Sequence, residues 1–103
     1  MKLLTSLIVS AAALAAAPAF ANADLAQKKN CMACHGVENK VVGPGFAEVA
    51  RKYADRADRE AYLAQKVISG GVGVWGPIAM PPQTLPPDDA KKIAAWLAQG
   101  AKK

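Results

Sequence analysis

The sequence predicts an all-α domain of about four helices, and three observations carry that expectation. Apolar residues recur at helical spacing in separate segments, and no segment alternates apolar with polar residues as a half-buried strand would. The richest glycine and proline stretches fall between the periodic segments, where they read as loops.

The chain of 103 residues opens Met1-Lys2 and continues LLTSLIVSAAALAAAPAFANA to Ala23. One positive charge, an apolar run, Pro18 and then small residues form the pattern of a cleaved secretory signal, residues 1–23. Ala19-Phe20-Ala21 and Ala21-Asn22-Ala23 both fit the cleavage rule, so a cut after residue 21 stands beside a cut after 23. A membrane anchor needs about 20 uninterrupted apolar residues, and the proline arrives before that. The mature domain is therefore expected to be 24–103, exported to the periplasm and not inserted in the membrane.

Within it, residues 24–33 read as a first helix with Asp24 as a possible cap. FAEVARKYA places Phe46, Val49, Ala50 and Tyr53 on one helical face. REAYLAQKVISGG gives Tyr62 or Leu63, Lys66 and Val67 before Gly70 and Gly71 stop it, a third helix over 59–69. The last helix follows LPPDD: Pro87 suits its first turn, Asp88 and Asp89 face the positive end of its dipole, and Lys102 and Lys103 suit the other end. With Pro86 before it, a polar cap is missing there. Phe46, Tyr53, Leu63, Val67, Ile78, Ile93, Trp96 and Leu97 are the expected core.

Removing residues 1–23 from 103 leaves 80, and a chain that short seldom stabilises itself by side-chain burial alone. The candidate filler lies in CMACH, residues 31–35, which holds both cysteines and the one histidine of the chain. A disulfide across two intervening residues closes too small a loop to restrain the unfolded chain much. A redox-active disulfide expects strand-helix alternation around it, which these segments lack. Structural zinc wants four Cys or His ligands, and only three exist.

C-x-x-C-H is the attachment motif of c-type haem, and it uses all three side chains. The thiols of Cys31 and Cys34 add to the two vinyl groups of one porphyrin, and His35 supplies an axial nitrogen to the iron. The opposite axial position needs water, a small ligand, Met, Lys or a rarer donor. Met1 leaves with the signal and Met32 lies inside the motif, so Met80 is the candidate. It sits in GVGVWGPIAMPPQT, residues 71–84, whose glycines and prolines imply an ordered loop. A His/Met pair raises the reduction potential, because the soft thioether favours ferrous iron.

These residues resemble a class I c-type cytochrome of the small bacterial kind, close to the periplasmic cytochromes that carry electrons to nitrite reductase in Pseudomonas and its relatives. CMACH, VGPGF at 42–46, GVWGPIAMPP at 73–82 and AAWLAQ at 94–99 carry the resemblance, which spans nearly all of 24–103. It implies the class I cytochrome c fold, about four helices wrapped around one covalently attached haem c. It also implies that the Pro44 carbonyl accepts the far imidazole proton of His35, and that Trp75 and Lys66 lie near a haem propionate. Gln83 departs from the pattern, since relatives often place Asn there to meet the methionine sulfur.

Loss of Lys2 takes the basic residues from 13 to 12 against 8 acids, a charge of +4. Two haem propionates bring it lower still. Nothing in the sequence pairs basic with aromatic residues as a nucleic-acid platform does. Lys28, Lys29 and Lys40 flank the haem motif and are candidates for guiding an acidic partner. The expected function is one-electron transfer, not enzymatic catalysis, in a monomeric mature chain. The expected donor is a bc1-type complex or another cytochrome, and the acceptor nitrite reductase, an oxidase or a peroxidase. A peroxide- or gas-binding haem protein would call for a polar distal group, and no evident candidate is present.

Overall fold

The computed structural model describes residues 23–102, so the proposed signal and both cleavage frames lie outside the described residues. Four α-helices follow in order: α1 Ala23–Lys28, α2 Phe46–Lys52, α3 Arg59–Ser69 and α4 Pro87–Ala98, with a 3-10 turn at Cys31–Ala33. Among the described residues, β pairing is limited to two isolated bridges, His35 with Lys40 and Gly71 with Met80.

The single helix expected over 24–33 is broken in two. Asn30 sits at φ 64°, a left-handed conformation that Asn tolerates better than most residues and that no α-helix can pass through. The break turns the cysteine segment into its own short turn, closed by the Cys34 and His35 amides donating to the Cys31 carbonyl at 3.2 and 3.0 Å. Asp24 falls within the first turn of α1 and not ahead of it. The third helix runs over 59–69 as its periodicity predicts, and α4 starts at Pro87 with no side-chain cap.

Helix α3 packs against α4, and α1 and α2 lean on α4 in turn. The reason is the stripe Ile93, Ala94 and Leu97 on α4, at helical spacing, which shares one buried cluster with Leu63 and Ala64 of α3. Small residues in both stripes allow close approach of the backbones. Trp96 is 2% exposed, meets Phe46 edge-on at 5.2 Å, and donates its indole proton to the Lys102 carbonyl at 2.8 Å. That contact folds the C-terminal tail back over α4 and makes Trp96 a packing residue.

Two of the expected core residues fall elsewhere. Tyr53 is half-buried at the end of α2, and Ile78 is 64% exposed, because its loop passes outside the helices and no protein element covers it. No helix among the described residues is long and apolar enough to cross a membrane.

Candidate functional site

The cysteine turn and the loop after it position His35. The Gly43 and Val42 amides donate to the Cys34 carbonyl at 2.7 and 3.0 Å, and the Phe46 and Ala47 amides reach the carbonyls of Gly36 and Val37 at 2.9 and 2.8 Å. Residues 36–45 thus form a closed loop that returns beside the histidine. There the Pro44 carbonyl accepts a hydrogen bond from His35 Nδ1 at 2.7 Å, and Phe46 stacks on the imidazole at 4.9 Å. With Nδ1 engaged, the lone pair left for a metal is that of Nε2.

Space beside the ring explains VGPGF. A Cβ on Gly43 would lie 2.6 Å from His35 Cε1 and 3.0 Å from Nδ1, so any side chain there must push the imidazole away from Pro44. For Gly43→Ala we expect a loss of about 2 kcal/mol, the usual cost of overpacking. With His35 as an iron ligand, as the sequence leads one to expect, the reduction potential should rise, because an imidazole without its carbonyl acceptor is a poorer donor to ferric iron. Denaturation and a redox titration of the holoprotein check both, and unchanged values would contradict this account of His35.

Cys31 and Cys34 form no disulfide with each other; Cys31 is half-buried and Cys34 exposed. Burial pushes the Cys31 thiol above its ordinary value, with its backbone hydrogen bond opposing. Among the described residues, no three His, Cys, Asp or Glu side chains converge as a metal-ion cage, so this donor set does not suit structural zinc.

Met80 stands half-buried at the far end of a loop that starts directly after α3. Its amide donates to the Gly71 carbonyl at 2.8 Å, the Gly71 amide donates back at 3.1 Å, and the Gln83 amide reaches the Val67 carbonyl at 3.2 Å. Gly70 ends α3 at φ 67°, and a Cβ there would collide with the Met80 carbonyl. Gly70 is therefore the residue that lets the methionine strand come back against the helix. The Gln83 side-chain amide donates to the Pro81 carbonyl at 2.8 Å.

Trp75, at the loop tip, is 40% exposed and lies under Lys52 Nζ at 5.4 Å. Lys66 Nζ lies over the Tyr62 ring at 5.6 Å, and 3.6 Å from where a Cβ of Gly71 would stand. Arg56 stacks on the same Tyr62 ring at 3.7 Å, and Tyr62 meets Tyr53 at 5.1 Å. Sequence reading missed this cluster of Lys52, Tyr53, Arg56 and Tyr62. Its one available signal was that a lysine and two aromatic residues ended or opened adjacent helices. Of the three candidate docking lysines, Lys29 is paired with Asp89 at 3.2 Å, while Lys28 and Lys40 are exposed.

Val41, Val42, Val72, Val74, Trp75 and Ile78 are between 40% and 64% exposed. All six come from the two loops, one following His35 and one leading to Met80. Exposed apolar residues at that density suit a large flat apolar group better than solvent. Two thiols, an imidazole with one free nitrogen and this apolar set fit a porphyrin.

The Cytochrome c family model matches residues 21–101. The chain belongs to the cytochrome c family. Cytochrome c-552 of Nitrosomonas europaea is 53% identical over 89 residues, 85% of this chain and 86% of that one. Cytochrome c-552 of Hydrogenobacter thermophilus is 53% identical over 78 residues, 76% of this chain and 80% of that one. The crystal structure of the wild-type Nitrosomonas protein superposes with a TM-score of 0.74 at 51% identity, covering 77% of this chain and 99% of that one. The fold is that of a class I cytochrome c, and the cofactor of this cytochrome is one covalent haem c. It is an electron carrier with redox partners, not an enzyme.

Proposed function

We propose that this cytochrome is a periplasmic one-electron carrier whose haem is bonded to Cys31 and Cys34 and ligated by His35 and Met80. The observation that carries this reading is the His35 imidazole, fixed through Nδ1 to Pro44 with Nε2 left to coordinate, one residue from Cys34 and four from Cys31, which form no disulfide. Met80, on a loop pinned to α3, is the second ligand, and Lys66 and Trp75 are the residues that meet the propionates when the haem is bound. The signal ends at residue 21 or 23, and the working domain is 24–103.

The haem supplies a ferric-ferrous couple of one electron. The chain contributes orientation and environment. Pro44 holds the His35 ring at one angle and raises its basicity. The Gly71 and Met80 amide pair keeps the thioether on a short, fixed lead in both oxidation states, so little has to rearrange when charge changes. Apolar loop residues exclude water and disfavour the extra positive charge of the ferric form.

In the respiratory chain the donor is a bc1-type complex or another cytochrome, and the acceptor is nitrite reductase, an oxidase or a peroxidase. The mature protein works as a monomer. Exposed Lys28 and Lys40 guide the encounter with an acidic partner surface.

Intact mass and optical spectra of the exported protein test this directly. The expected mass is that of a chain starting at Asn22 or Asp24 plus one haem, with a weak sulfur-to-iron band in the ferric spectrum. A bare chain, a chain lighter by two hydrogens, or a water-ligated ferric spectrum would reject it.

A further inference from the structure

The hydrogen bond from His35 Nδ1 to the Pro44 carbonyl fixes one point of the imidazole and leaves the tilt of the ring open. The tilt is set by a run of aromatic rings. Phe46 stacks on the imidazole at 4.9 Å with the two planes 24° apart, and Trp96 of α4 meets Phe46 in turn, edge-on at 5.2 Å and 69°. Both backing rings are buried, and the Phe46 amide is itself bound to the Gly36 carbonyl at 2.9 Å.

Trp96 is anchored by the C-terminal tail. Its indole donates to the Lys102 carbonyl at 2.8 Å, and its own carbonyl accepts from the Ala101 amide at 3.0 Å, so the tail grips both the side chain and the backbone of this residue. Holding the tail there has a cost. Ala101 takes φ 53°, a left-handed conformation that a residue with a Cβ seldom adopts, and Gly100 before it takes φ 105°. The Ala101 methyl is buried in the same cluster as Phe46 and Trp96. An unfavourable backbone state, kept in place against the residue that backs the imidazole's stacking partner, points to a role beyond filling the core.

We propose that Trp96 is a positioning residue for His35: clamped by the tail, it holds Phe46 against the imidazole and fixes the plane in which Nε2 meets the iron. The inference rests on His35 being an axial ligand. Trp96 acts through Phe46 and not on the ring itself.

Two NMR readouts of the holoprotein test this. Exchange of the His35 Nδ1 proton with solvent in the ferrous form reports how often the ring leaves Pro44, and the spread of the haem methyl shifts in the ferric form reports the angle of the ring plane. Trp96→Phe removes the donor to Lys102. It should speed the exchange about fivefold, the factor that one lost hydrogen bond gives, and alter the methyl spread. A chain ending at Gly100 loses the acceptor instead, leaves α4 whole, and should do the same. Phe46→Leu removes the stack, and adding Trp96→Phe to it should bring no further acceleration. Leu63→Ala is the control: it opens a cavity in the same buried cluster and should lower the denaturation midpoint while leaving both readouts unchanged. No acceleration in Trp96→Phe or in the shortened chain, additive effects in the double variant, or equal acceleration by Leu63→Ala would overturn the proposal. A His35 Nε2 that carries a proton in the wild-type holoprotein would instead remove His35 as ligand, and the positioning role with it.

Discussion

Met80→Ala should lower the reduction potential by on the order of 0.2 V, about a quarter of the roughly 0.8 V that axial ligation spans. It should also let ferric protein bind imidazole or cyanide at once. The sign follows from donor softness. A thioether stabilises ferrous iron, and the water or hydroxide that replaces it prefers ferric iron. The fold should survive, because the methionine is held to Gly71 through backbone groups that alanine keeps. Each 59 mV of a one-electron couple is a tenfold change in equilibrium, so the loss is easily measured. A redox titration that reproduces the wild-type midpoint, together with no ligand binding, would exclude Met80 and direct attention to Lys66, whose amine lies near Gly71.

Much of this site was legible in the sequence because its parts are short-range. Cys31, Cys34 and His35 share one turn, and the motif declares its chemistry without tertiary information. The third helix was legible too, since periodicity and the Gly70 stop agree about its limits, and so was the start of the fourth at Pro87; α4 ends at Ala98 with no basic residue in its last turn, so Lys102 lies beyond the helix end it was expected to complement. The break at Asn30 was not. Asn in a left-handed conformation is a local choice settled by where the cysteine turn must go, and residues 24–33 taken alone carry no sign of it. Ile78 carries a related lesson: hydrophobicity reports a preference for burial, while no protein element lies opposite this side chain, which belongs to the apolar set that suits a porphyrin.

The platform of Lys52, Tyr53, Arg56, Tyr62 and Trp75 was invisible for a third reason. It joins a helix end, a second helix and a loop tip, and no period or motif connects them. Lys29 shows the same limit on a smaller scale. Beside the motif it reads as a free docking charge, but the fold brings Asp89 of α4 against it at 3.2 Å. A charge pair still reached by solvent contributes little to stability, yet it removes one cation from the field an acidic partner meets.

The chain carrying Cys31→Ala and Cys34→Ala, purified without haem, should be largely unfolded at neutral pH. Among the described residues, twelve hydrophobic side chains are buried, and five of them are alanine: Ala26, Ala64, Ala90, Ala94 and Ala101. An alanine methyl contributes about 0.8 kcal/mol of burial at most, where a leucine or phenylalanine contributes about 1.5–3 kcal/mol. Seven larger side chains are buried and seven others, from Val41 to Ile78, are exposed by two fifths or more. Helices α3 and α4 alone offer too small an interface to offset the conformational entropy of the long loops, 34–45 and 70–86. A porphyrin covering those loops would turn exposed valines into core and bond covalently to the cysteine turn that leads into the first of them. The substitutions themselves are mild, since Cys34 is exposed and Cys31 half-buried, so loss of structure would report the missing cofactor. Far-UV circular dichroism and urea titration decide the matter: a weak helical signal without a cooperative transition is the expected outcome. A sharp melt with native helix content would mean that the helices hold themselves together and that the haem is a passenger in the fold.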